Sequence, residues 1–466
     1  MSIDRPDVCR VLVPSGALGS GCPEAAFQRG LSLRPDALAV DAGSTDSGPH
    51  YLGAGISKMT RKATKRDLRQ LMLGRAALGV PLIVGSCGTS GTDSGVDWMA
   101  DICAEIAREE GLTVKVALIY SEQSADRLAQ HLAAGAVTPL PPAAELTIET
   151  IAACDHIVAL MGYEPLAAAI REGADIVLAG RTTDTAVIAA VPVMRGFPPA
   201  AAWHAAKISE CGGLCTTHTR QGGVMLFIDA DGFEVEPLHA ENSCTPFTVS
   251  AHMLYENSDP FTLKEPGVKL DVEGAEYAAV DARRVRVTGS RFEATPYTMK
   301  LEGSGGVGYR TMVFSAIADR KVLKAFDAWL EGLKARLHAG VTGVLGYAAG
   351  DYDLQFRAYG RDALKPSGAP GLDQVPSEVG LMTLVRAKTQ AEATEIAKFC
   401  NPTLLHFPLN PEDPMPSFAF PFSPAEVELG RFYEFKLNHV VAIDDPLALC
   451  RTEWLELQPG GQDGAA

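Results

Sequence analysis

The stretch Ala174-Asp175-Ile176-Val177-Leu178-Ala179-Gly180-Arg181-Thr182-Thr183-Asp184 decides the fold. A β-rich apolar run gives way to a short polar loop, and a helical pattern follows at once; this is one βα unit. Working outward, the same grammar recurs upstream. Pro81–Val84 leads into Gly85–Gly95, Ala37–Val40 into Asp41–His50, and Val11–Val13 into a loop with glycines at 16, 19 and 21. Strands are expected at Arg10–Val13, Ala37–Val40, Leu82–Gly85, Val114–Ile119, His156–Leu160 and Ile176–Ala179, with helices between them. Residues 1–205 therefore read as an α/β substrate-binding domain built on a doubly wound, mostly parallel sheet. Ligands collect at the carboxyl ends of such strands, so loops 14–23, 41–50, 85–95 and 180–185 should share one edge and hold a small anionic substrate.

The second half has a different texture. Residues 206–307 alternate apolar and polar between turn signals, such as Gly223–Ile228 before Asp229-Ala230-Asp231-Gly232, and read as antiparallel strands and loops completing the site. Residues 308–466 run strand, helix, strand, strand, helix, strand, which is the ferredoxin-like β-α-β-β-α-β order of an α+β domain. A Pro-rich stretch, Pro402 to Pro424, carries Phe407, Phe418, Phe420 and Phe422, and is expected to wrap as an ordered loop on the core or on a partner subunit. That points to a homo-oligomer, a dimer or larger.

Composition narrows the function classes. At 466 residues and 47% hydrophobic content the chain can bury more than one core. A formal charge of −16 argues against general nucleic-acid binding. No apolar run is long enough to span a membrane, and Met1–Asp7 lacks the basic-then-apolar order of a signal peptide. Ten scattered cysteines without a CxxC pair suit reduced thiols in a cytoplasm.

The loops supply the candidate chemistry. Gly85–Gly95 brings Ser86, Gly88, Thr89, Ser90 and Thr92 to a helix N-terminus, a cradle for a carboxylate or phosphate or, more plainly, a tight capped turn. No Lys follows it, so it is not a Walker loop, and the glycines at 16, 19 and 21 lack dinucleotide spacing. Asp46 and His50 form a candidate acid/base or metal-ligand pair; the alternative is a capped turn with a surface His. No HExxH spacing occurs, so no cofactor is fixed, though a divalent metal has room. Arg181 stands where a fork for an anion is needed, unless it merely pairs with Asp184. Glu210, beside Cys211, is a better proton carrier than the thiol, and Lys300 could reach the pocket from the second half.

Several segments together resemble the acyclic terpene utilisation (AtuA) family. They are Asp41–Pro49, Gly173–Asp184, Cys244-Thr245-Pro246 with Leu254–Pro260, Gly308-Tyr309-Arg310 and Leu437–Pro446. The resemblance implies a cytoplasmic enzyme of bacterial catabolism, often tied to branched acyl-CoA or carboxylic acid breakdown; it implies no particular reaction. With the loops, it leads to the expectation of a lyase of hydratase or dehydratase type acting on a hydroxy acid or acyl-CoA. A phosphate- or ATP-using ligase or kinase, and a non-catalytic subunit of a larger complex, are the alternatives.

Overall fold

Val11, Val13, Ala37, Ala39, Ile83, Ala117, Ile119, Val177 and Ala179 lie in one buried core, while Leu12, Leu38, Val40, Leu82, Val84, Val116, Leu118, Ile176 and Leu178 lie in another. The period of two thus sends successive side chains to opposite faces of one sheet, both of them covered by helices. The structure is a computed structural model and describes residues 7–364 and 375–459. Residues 1–6, on which most of the leader expectation rests, and 365–374 and 460–466 of the expected last domain lie outside the described residues.

The strands are β1 (Cys9–Val13), β2 (Ala37–Asp41), β3 (Leu82–Gly85), β4 (Val114–Tyr120), β5 (Val137–Pro139), β6 (His156–Leu160), β7 (Ile176–Ala179), β8 (Val224–Ile228), β9 (Gly232–Pro237) and β10 (Thr262–Glu265). They continue as β11 (Val268–Asp271), β12 (Glu276–Ala279), β13 (Val285–Thr288), β14 (Arg291–Ala294), β15 (Thr298–Ile317), β16 (Tyr352–Tyr359), β17 (Val379–Ala387), β18 (Glu426–Ala442) and β19 (Arg451–Leu457). The chain divides into two compact units: Met1–Gly305 with Phe435–Ala466, and Gly306–Glu434. Residues 206–305 thus fall within the first unit, and the chain returns to it after the second.

In the first unit a mixed ten-stranded sheet runs β12-β13-β9-β8-β1-β2-β3-β7-β4-β19. Its centre, β1-β2-β3-β7-β4, is parallel. Antiparallel strands flank it on both sides, so "mostly parallel" describes only this centre. His156–Leu160 is a strand as expected but does not join this sheet; it pairs antiparallel with Lys300–Ser304 of β15. An apolar run predicts extended backbone without naming its partner. Helices follow the central strands with clear boundaries. Thr60 caps Arg61–Leu78 and Thr92 caps Asp93–Glu110, each accepting a backbone N–H. Gly79 and Gly111 end them in the left-handed conformation. Among the described residues no helix is long and apolar enough to cross a membrane.

The second unit is also mixed α and β. Its strand order is β16-β17-β15-β18, with β17 antiparallel to both β15 and β16. Helices Phe326–Gly340 and Gln390–His406 build its core around Trp329. The expected loop from Pro402 starts late, because the helix Gln390–His406 runs on through Pro402. From Phe407 onward the Pro-rich stretch wraps on this core, with Phe407 and Phe418 6.3 and 5.5 Å from the Trp329 ring and the Phe407 carbonyl accepting the indole N–H at 2.9 Å.

Candidate active site

At the carboxyl ends of the parallel strands the loops are stitched together by their backbones. Leu18 N–H donates to the Asp41 carbonyl, Ala42 N–H to Gly85, and Ser86 N–H to Gly180. The glycines permit this closeness. A Cβ on Gly91 would lie 2.1 Å from the Arg181 nitrogen, and one on Gly43 would lie 2.5 Å from the Thr89 Cα. The four loops therefore do share one edge.

They surround a cavity of about 180 Å³ whose lining includes Asp41, Asp46, Asp184 and Glu256, the ammonium of Lys58, and Thr89, Cys211 and Tyr255. This volume is below the roughly 300–1,000 Å³ of drug-sized sites, so it suits a small molecule or the end of a larger one. Three non-glycine residues near it, Ser86, Thr89 and Glu256, have positive φ of 46°, 80° and 50°. Such strain persists only where the surroundings impose it, and it gathers at functional sites.

Asp184 opens the helix Asp184–Met194, which Thr183 caps by accepting the Ala186 N–H. Its carboxyl is enclosed by protein but still reaches the cavity. Burial lifts its proton affinity to about 6, the Arg181 charge opposes this, and the Asp46 carboxylate adds to it. Asp41 is buried, and its Oδ1 lacks a hydrogen-bond partner while Oδ2 accepts the Gly43 N–H at 2.8 Å. Burial first, and then Asp184, push its pKa well above the usual carboxylate range.

Arg181 corrects the expected anion fork. Its guanidinium is buried, donates Nε to Glu302 at 3.0 Å and Nη1 to Ser86 at 3.2 Å, and lies 3.9 Å from Asp184. It does not line the cavity; it is the internal counter-ion of several carboxylates. Glu302 would be pushed up by burial, but Arg181 and then Lys300, whose Nζ is 2.9 Å away, hold it down at about 2. Lys300 is committed to this pair in the first unit and is not part of the lining. The cavity cation is Lys58, which stands just ahead of the helix Arg61–Leu78; its Nζ donates to Ser47 at 2.8 Å.

The Gly85–Gly95 loop is likewise turned inward. Ser86, Ser90 and Thr92 are fully buried. Ser86 serves Arg181, Ser90 donates to the Tyr51 carbonyl at 3.5 Å, and Thr92 caps the next helix. Gly88 packs against Gly95. The Asp93 N–H at that helix N-terminus donates to Glu122, whose other oxygen lies 2.5 Å from His156 Nδ1. A protein carboxylate therefore occupies the place expected for an external anion, and Thr89 alone of the named loop residues reaches the cavity.

Asp46 is exposed at the cavity rim, its Oδ2 accepting the Ser44 hydroxyl at 2.7 Å. His50 is exposed on the helix Pro49–Ala54, edge-on to Tyr51, and unlike Asp46 is not part of the lining. Glu210 lies behind the cavity wall, 2.5 Å from Lys207, and burial raises it to about 8 against the pull of that ammonium. Among the described residues, ligand atoms of Glu210, Cys211 and His252 lie within 4.8 Å of one another, a grouping that could hold a metal ion. Sequence reasoning passed over Lys58, Tyr255 and Glu256. The last two sit in Leu254–Pro260, a segment that carried the family resemblance.

Fold and site together define a mixed α/β protein with a small, acid-lined cavity at the carboxyl edge of a parallel sheet centre. The family model of the acyclic terpene utilisation family protein AtuA matches residues 67–410, and the chain belongs to that family. Comparison with curated proteins and with solved structures gave no match.

Proposed function

We propose that this protein is a cytoplasmic catabolic lyase that adds or removes water at a small hydroxy acid or the acyl end of a CoA thioester. The observation that carries the reading is Asp184, a carboxyl group on the cavity wall whose proton affinity is raised toward neutrality. Dehydration needs an acid to protonate the departing hydroxyl and a base to take the proton α to the carbonyl. Asp184 is the acid, Asp46 across the lining is the base, and Lys58 pairs with the substrate carboxylate or thioester oxygen. Because burial keeps the proton on Asp41, the cavity is less hostile to an anion than four carboxylates suggest. The ATP-using alternative loses its main support, since the glycine-rich loop spends its hydroxyls internally and Glu122 occupies the helix N-terminus. We read the parallel centre as doubly wound and the second unit as ferredoxin-like, and exposed Met415, Phe422 and Leu429 support self-association.

The test is a panel of hydroxy acids and their CoA thioesters incubated in ¹⁸O-labelled water, with gain, loss or exchange of water read by mass spectrometry. Turnover by the wild type that falls about 10²–10⁴-fold in Asp184→Asn at unchanged melting temperature is the expected result. Turnover unaffected by Asp184→Asn, or no water chemistry across the panel, overturns the reading.

A further inference from the structure

We propose that Glu210, Cys211 and His252 hold one zinc-class divalent cation, with an open coordination position facing the cavity. Three different donors meet here: a carboxylate oxygen, a thiol sulfur and an imidazole nitrogen, all within 4.8 Å. An ion with bonds of about 2.0–2.3 Å can bridge such a span with small side-chain adjustments. The second observation is independent of that proximity. His252 is 4% exposed, and its Nε2 is buried with no hydrogen-bond partner. Leaving such an atom unsatisfied costs about 1–3 kcal/mol, and a bound ion satisfies it.

The donor set selects the metal. Magnesium and calcium take oxygen ligands almost exclusively, whereas thiolate with imidazole and carboxylate suits zinc and its neighbours. Three protein ligands leave a tetrahedral ion one free position, which is the pattern of catalytic rather than structural zinc. Cys211 also lines the cavity, and this fixes the side on which that position opens.

The scaffold holds all three ligands. Glu210 is the C-cap of the helix Pro199–Ser209 and Cys211 follows it directly, while His252 begins a short turn after Pro246–Ala251. The His252 ring stacks on Tyr255 at 5.4 Å and 16°, which sets its plane. Lys207 is the resident cation nearby. It binds Glu210 Oε1 and the Tyr255 carbonyl, which leaves Oε2 for the ion. Asp184 and Glu256 add negative charge around Cys211, so the site accommodates cationic charge beyond Lys207. On binding, the Cys211 S–H proton leaves to solvent and the S–metal bond forms, with no change of oxidation state.

The test uses the full chain, freed of any affinity tag and stripped with chelator, titrated with Co²⁺ alone. One equivalent of cobalt with a thiolate-to-cobalt charge-transfer band is expected. The band should vanish in Cys211→Ser, affinity should fall about a hundredfold or more in His252→Ala, and Cys22→Ser should behave as wild type. If Cys211→Ser fails to fold, alkylation of the wild type decides: Zn²⁺ should shield Cys211 from iodoacetamide, read by peptide mass spectrometry. No band with no shielding, or cobalt held equally by Cys211→Ser and His252→Ala, overturns the site. These readouts need no turnover, so the metal site and the acid–base reading stand or fall separately.

Discussion

Asp184 makes the sharpest residue-level demand on the protein. An acid with a pKa near 6 must be protonated to release a hydroxyl, so the proposed dehydration should fall as pH rises through about 6, and Asp184→Asn should abolish that limb. Stability follows the same sign. The folded carboxyl holds its proton up to about 6 and an unperturbed one releases it near 3.8, so the wild type should lose stability relative to Asp184→Asn as pH rises from about 4 to 6. Urea midpoints at fixed pH values check this. Arg181 offers the opposite case. Removing one partner of a buried pair strands the other charge, so Arg181→Ala should cost about 3–5 kcal/mol of unfolding free energy, unlike a surface anion clamp. Lys58→Met should instead leave the melting temperature in place and raise KM. The sequence showed that a lone Arg follows a buried strand. Its partner Glu302 lies 121 residues away, and no local pattern reveals such a pairing.

At the scale of elements, the packed loops decide what substitutions the edge tolerates. Gly91 has φ +68°, and any Cβ there collides with the Arg181 backbone nitrogen. Gly91→Ala should therefore destabilise the first unit by roughly 3 kcal/mol or more and remove activity, with loss of near-ultraviolet dichroism as the check. The central strands were legible because each is a short apolar run ended by small polar residues. The convergence of their loops was legible too, because parallel βα units leave no other place for them. Partners were less legible. His156–Leu160 looks like its neighbours but pairs with β15, and Arg451–Leu457 mixes charges with Trp454 and leucines and gave no strand signal strong enough to name. The loop hydroxyls misled for a physical reason. Ser and Thr serve an inward hydrogen bond as readily as a ligand, and only burial separates the two uses.

At the scale of the molecule, each unit has its own core, and the tryptophans divide between them. Trp329 is the only one of the four within Gly306–Glu434. A chain keeping only Trp329 should report the second unit, and adding Gly91→Ala to it should leave that fluorescence transition nearly unmoved while the far-ultraviolet signal splits. The path of the chain adds a condition on how the protein is made. The first unit begins at the amino end but takes β19 from residues 451–457, where it pairs antiparallel along β4 and Arg451 reaches Asp93. A ribosome releases that strand only after the intervening second unit has emerged. Until then β4 has an unpaired edge, and such edges recruit strands from other chains. During synthesis the nascent chain therefore exposes this edge until β19 arrives, and a stop codon ahead of residue 451 would leave β4 open as an aggregation seed.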